Sequence, residues 1–308
     1  MHELYAHFVK GEWPFKLTLI AYALAFLAYL ASLWAPRLKD GKDRVYAAAR
    51  WLFLAAWALN AYTLIGRGIE AGRPPFKTFY ESLIYFGFIF GGIMVAVEWL
   101  KKVRLLGFIA TLLILGALGY ALHKQDIEII QLPPALNSGW FLPHVTIYFC
   151  GYSCVTVAFV LGILAWVKPG DRSFDPGSFW ARAIGTSEVN FEVLTRNWVR
   201  VGFLFLAAGL ITGGTWAKFA WSDYWSWDPK ENWGLITWLM YLVVLHLFYV
   251  PSIPRKVAIR VSVFTWGFIA FTYFGMGYLP TKSQSMHIYT ETPPADQGDV
   301  KGLNKEMY

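Results

Sequence analysis

Charge is scarce in this chain: 15% of its 308 residues are Asp, Glu, Lys or Arg, against roughly 25% in a soluble globular domain. A solvated surface over one ordinary core cannot be built from so little. Cysteine is scarcer still. Cys150 and Cys154 are four apart, which is neither the CxxC spacing of a dithiol redox pair nor that of a zinc site; they read as small packing residues on one helix face. The net charge of +7 is not gathered with aromatic side chains on one polar face, so no nucleic acid partner is expected. The amino-terminal segment, which holds His2 and His7, lacks a basic n-region followed by a cleavable apolar core, and no removed signal peptide is expected. No internal repeat of fixed period is found.

What the chain has in abundance is apolar and aromatic residues, 56% and 19%. Apolar runs of about 20 residues recur, each long enough to cross some 30 Å of hydrocarbon as a helix. Eight spans are predicted, near 17–34, 45–66, 79–100, 105–122, 144–167, 198–217, 234–250 and 258–279. The fold class is therefore an all-α polytopic membrane protein whose lipid bilayer is its first partner. The loops at 35–50, 101–104, 168–200 and 251–260 hold 16 of the 27 Lys and Arg residues. The other loops, both termini included, hold 11, with 12 of the 20 acidic residues. The bias of basic residues towards the cytoplasm places both termini, residues 123–143, the segment after 217 and the tail after 280 outside. Three regions follow: spans one to four (1–130), a functional region (131–290) and a polar tail (291–308). Glu81 and Glu98, near opposite ends of the third span, are read as reaching headgroup water, with no proton-relay role.

The segment 216–233 holds five tryptophans (Trp216, Trp221, Trp225, Trp227, Trp233) and Tyr224, interleaved with Asp223, Asp228, Lys230 and Glu231. Stiff amphipathic rings suit either the membrane–water boundary or the face of a flat ligand. A belt spreads tryptophan over both interfaces, as Trp13, Trp34, Trp99 and Trp140 do; it does not predict five in one loop.

Histidine supplies the candidate chemistry. His246 lies within an otherwise apolar run, where an ionisable group is expected to face a cavity, a partner or a cofactor, or to be a neutral imidazole bonded between helices. His144 opens the fifth span just after Pro143, and His287 lies in the external tail. His123 reads as interfacial. Each alone reads as an ordinary boundary histidine. Together, two external histidines with the aromatic segment between them offer an iron-bearing planar macrocycle two axial nitrogens and flat apolar walls. Lys218 and Lys230 are candidates for meeting carboxylates at its rim, or simply for marking the interface.

The run Trp221-Ser-Asp-Tyr-Trp225-Ser-Trp227-Asp-Pro-Lys-Glu-Asn-Trp233 resembles the tryptophan-rich "WWD" domain of haem-handling membrane proteins, matching the core YWxWDPKExW at every fixed position. Residues 137–145 around His144 resemble the external histidine motif that precedes that domain in the CcsA (ResC) family of System II cytochrome c biogenesis. His287 resembles the second external histidine, and His246 the transmembrane one. The resemblance covers roughly 130–290. The chain departs from the pattern in having Ser222 where many WWD domains have glycine, and in the Ser-Met-His-Ile-Tyr context of His287. It implies that haem b crosses the membrane, with His246 at an internal site opposed by a histidine of a CcsB (ResB) subunit. At an external site His144, His287 and the platform of Trp216, Trp221, Tyr224, Trp225, Trp227, Asp228 and Trp233 hold it. There the vinyl groups meet the thiols of a CxxCH apocytochrome c. The implied assembly is a CcsBA-type holocytochrome c synthase in a bacterial inner membrane or a thylakoid-type membrane. The rival readings are a haem exporter or chaperone of CcmC type, without ligation activity, and a proton-coupled transporter using His246.

Overall fold

The computed structural model describes residues 13–35, 43–124, 129, 138–167, 178–184, 189–275 and 279. Nine helices and no strand occur among them: α1 (Trp13–Trp34), α2 (Arg44–Ala71), α3 (Phe79–Lys101), α4 (Arg104–Lys124), α5 (Phe141–Val167), α6 (Phe179–Ile184), α7 (Phe191–Trp221), α8 (Pro229–Tyr249) and α9 (Arg255–Phe274). All but the short α6 are long and apolar enough to cross a membrane, and they correspond one to one with the eight predicted spans.

The helices outrun the apolar windows because their ends are set by capping, not by hydropathy. Asn190 caps α7 by accepting from the Val193 N–H at 3.1 Å, so α7 begins inside what the sequence reads as a loop. Asp43 caps α2 at the Tyr46 N–H, 3.0 Å, and Thr78 caps α3 at the Glu81 N–H, 3.2 Å; each satisfies an amide donor that the first turn leaves without a helical partner. Gly72 ends α2 in the left-handed region at φ 62°, a conformation that costs glycine nothing.

Two groups of helices result. In the first, α1 packs on α2 and α4, and α3 on α2 and α4; in the second, α5 packs most extensively on α7 and also on α9, while α8 bridges α7 and α9. The groups meet where α3 lies against α5, joined by a Tyr85–Thr146 hydrogen bond of 2.9 Å. Alternate helices run in opposite directions, so one end of the bundle gathers the start of α3, α5 and α8 with the end of α7. Helix α5 is the most buried, 72% of its apolar window being enclosed by other helices, and it carries His144.

Glu81 and Glu98 do not reach headgroup water. Both side chains are 0% exposed. Glu98 pairs with Arg50 at 3.2 Å and accepts from the Tyr46 hydroxyl. Glu81 pairs with Arg67 at 3.2 Å and Arg73 at 2.9 Å. Their position near a helix end suggested water; arginines from α2 and its following connection fold over them and exclude it. The cysteines differ from each other as well: Cys154 is buried, as expected, whereas Cys150 is half-exposed.

Candidate functional site

His144 sits in the first turn of α5. The helix begins at Phe141, three residues ahead of the predicted span, and Pro143 fits within that first turn because its missing N–H has no helical partner to lose. The imidazole is thereby carried inward, half-buried against α7, instead of standing at the surface. Its Nδ1 lies 3.0 Å from the Gly209 carbonyl oxygen. A carbonyl only accepts, so Nδ1 bears a proton; in the neutral ring Nε2 then carries the lone pair, the tautomer a metal-ligating histidine needs. The ring stacks on Trp216 with planes 9° apart and centroids 5.7 Å apart. Trp216 is 2% exposed.

Helix α7 accepts this arrangement because of two glycines one turn apart. A Cβ on Gly209 would stand 2.4 Å from the Tyr148 ring, and one on Gly213 would stand 2.7 Å from the His144 ring. The two α5 side chains, His144 and Tyr148, thus lie one turn apart in a channel that glycine opens. Gly213→Val is expected to expel the imidazole from its stack on Trp216. Near-ultraviolet circular dichroism of the purified protein should then lose tryptophan signal, and an unaltered spectrum would contradict this account.

A cavity of about 150 Å³ adjoins the imidazole. Trp216 and Trp225 line it with Lys230, as do Phe76 and Lys77 from the α2–α3 connection and Tyr273 from α9. Of the tryptophan-rich segment, then, Trp216, Trp225 and Lys230 share the cavity with His144. Trp221 meets Trp216 edge-on at 4.6 Å, just behind it. Tyr224 and Trp227 are 63% and 69% exposed; the Trp227 ring stands edge-on to Trp225 at 6.0 Å. Trp233 turns away and packs on Phe271 of α9 at 4.3 Å.

Asp228, Glu231 and Lys218 serve the backbone. Asp228 is the N-cap of α8, Pro229 occupies its first position, and Glu231 closes a capping box. One Glu231 oxygen accepts from the N–H groups of Ser226 at 2.9 Å and Asp228 at 3.1 Å. Lys218 donates to the Ser222 carbonyl at 2.7 Å, near the C-terminus of α7, with its ammonium over the Tyr224 ring at 5.5 Å. Ser222 itself takes the left-handed conformation, φ 68°; the turn is the glycine-type helix end, built here with serine. Ser222→Gly is expected to relieve about 1 kcal/mol of backbone strain and raise the thermal midpoint of the purified protein.

His246 stands apart. It lies in the last turn of α8, with Nδ1 2.8 Å from the Leu242 carbonyl oxygen, and its side chain is exposed. Seventeen residues (246 − 229) separate it from the start of α8, some 26 Å at 1.5 Å per residue, so it belongs near the other end of the bundle from His144. His123 is exposed in the last turn of α4. His287, like His2 and His7, lies outside the described residues. No group of three or more His, Cys, Asp or Glu side chains that could hold a bare metal ion occurs among the described residues.

Sequence reasoning missed Lys77, Phe76, Tyr148 and Tyr273. A lysine in a short extramembrane connection carries no mark of burial, and aromatic residues in apolar spans look like any others. Lys77 is nevertheless 5% exposed. Burial, then repulsion from Arg73, pushes its ammonium below the usual lysine pKa, with Glu81 pulling it back.

The family model "Cytochrome C assembly protein" matches residues 76–282. That match begins at the α2–α3 connection, well ahead of residue 130, and so takes in the third and fourth spans along with Phe76 and Lys77. Among curated proteins, the chain is 30% identical to "Cytochrome c biogenesis protein CcsA" of Cyanidium caldarium over 73% of this chain and 86% of that one. It is 31% identical to the protein of the same name from Synechococcus sp. (strain CC9311), over 75% and 83%. Among solved structures, "Cytochrome c Heme Lyase CcmF" superposes with a TM-score of 0.56 at 16% identity, covering 87% of this chain and 49% of that one; at that identity the likeness is one of fold, and the present chain spans about half of that protein.

Proposed function

The chain belongs to the CcsA family of cytochrome c assembly proteins, and from that premise we propose that it carries haem b across the membrane and holds it at the motif end of the bundle for attachment to apocytochromes c. The observation that carries this reading is the His144 imidazole, stacked on Trp216, locked through Nδ1 by the Gly209 carbonyl, and lining a cavity shared with two lysines. These residues fit an iron porphyrin: an imidazole with its Nε2 lone pair, indole walls and cations for propionates. At about 150 Å³ the cavity is smaller than the 300–1,000 Å³ that encloses a drug-sized ligand, so these residues would hold part of the macrocycle and not enclose it.

When bound, haem supplies the iron and the two vinyl groups that take up the thiols of a CxxCH segment. The protein's contribution is position. The Gly209 carbonyl holds the imidazole tautomer and Trp216 its plane. Trp225 walls the cavity, while the exposed rings of Tyr224 and Trp227 are left for contact with the apocytochrome. Orienting the partners in this way removes much of the entropic barrier of a bimolecular reaction. In the same reading His287 is the second external ligand. His246, near the far end and exposed, serves an internal haem site completed by a histidine of a CcsB (ResB) subunit. The motif end faces outwards, from a bacterial inner membrane or a thylakoid-type membrane.

The reading is tested by purifying the full chain from haem-replete cells, alone and with its partner subunit, and recording an absorption spectrum. A Soret band is expected. If none appears in either preparation, the reading is wrong. Coexpression of both subunits with a CxxCH reporter should yield covalent haem on the reporter; haem bound without that product would reduce the function to export.

A further inference from the structure

Lys77 occupies the short connection between α2 and α3, outside the tryptophan-rich segment. Its backbone N–H donates to Glu81 at 2.8 Å, but its ammonium has no hydrogen-bond or ion-pair partner among the described residues. Glu81 is already saturated. Its two oxygens accept from Arg67 at 3.2 Å, from Arg73 at 2.9 and 3.2 Å, and from that backbone N–H. Three cations, Arg67, Arg73 and Lys77, therefore surround this one carboxylate. Glu231, the acidic side chain that lines the cavity, is engaged by the amides of its capping box. A buried cation without a matched anion is costly, and this one lines the cavity beside His144 and Trp216.

We infer that Lys77 is a specificity-determining residue that receives a carboxylate of the ligand held at His144, a propionate of the porphyrin; the inference rests on the haem reading above. Three arrangements favour it. The residue lines the cavity and is 5% exposed, the backbone that carries it is fixed through Glu81, and its ammonium has no hydrogen-bond or ion-pair partner among the described residues. Lys218, by contrast, is spent on the end of α7.

The purified full chain should be titrated with haem and with haem dimethyl ester, whose propionates are uncharged. A charge-assisted hydrogen bond of the usual strength predicts that the wild type favours the free acid by about tenfold or more. In Lys77→Gln that ratio is expected to fall severalfold towards unity, and in Lys77→Arg to stay high. A ratio of two midpoints is insensitive to the fraction of variant protein that folds. If the ratio in Lys77→Gln equals that of the wild type, or the wild type binds both compounds equally, the assignment of Lys77 is wrong while the porphyrin site stands. If the wild type binds neither compound, the haem reading fails and this inference with it.

Discussion

His144→Gly is expected to abolish stable haem at the motif end and, with it, maturation of a CxxCH reporter. Residues that merely orient a metal ligand cost about 10–100-fold in metal affinity when removed, so loss of the ligand itself should exceed that range. Glycine leaves a gap the size of an imidazole between Trp216 and the Gly213 backbone, both of which contact the ring. Added imidazole should fill the gap and restore the Soret band. A haem content equal to the wild type would remove His144 from the site. Loss without rescue, together with a lowered thermal midpoint, would instead make the residue a packing element of α5. The helical cost of the new glycine, about 1 kcal/mol, is small against either outcome.

Glu81→Ala is expected to be the most destabilising single change in the first group of helices. It leaves Arg67, Arg73 and Lys77 without their common carboxylate in an enclosed setting, and breaking a buried ion pair by removing one partner costs about 3–5 kcal/mol. A large fall in the thermal midpoint of the purified protein should report it. Replacing Glu81 together with one of its two arginine partners by apolar side chains, Glu81→Met with Arg73→Met, should cost less than Glu81→Ala alone, because Arg67 but no longer Arg73 is then stranded. If the double change is instead the sum of two independent losses, the pair is no buried network. The consequence reaches the site: the same carboxylate fixes the backbone of Lys77, so Glu81→Ala should also weaken haem retention, in a residue whose sequence position suggests only a headgroup contact.

The tryptophan-rich segment shows how far composition carries and where it stops. Its concentration of indoles marks the candidate functional end of the molecule, yet in sequence the rings look equivalent. In the structure they are divided. Trp216 supports His144, Trp225 walls the cavity, Trp233 packs on α9, and Trp227 faces outwards. The resemblance puts Asp228 in the ligand platform, but Asp228 and Glu231 build the N-terminal cap of α8. A side chain's local sequence does not say which way its helix will face, and a rotation of one residue, about 100°, changes its neighbours altogether.

The amino-acid sequence alone determined the number of membrane-crossing helices, since hydrocarbon forces every backbone polar group in a span into helical hydrogen bonds and twenty apolar residues can do nothing else there. It also singled out the candidate site, His144 and a bank of indoles. The tertiary structure decided the tautomer and plane of that imidazole, through a carbonyl and an indole of α7, and brought Lys77 from the first half of the chain to the same cavity. Those are contacts between residues far apart along the chain. They depend on which helix faces pack together, and hydropathy, which records only how apolar each stretch is, does not encode that choice.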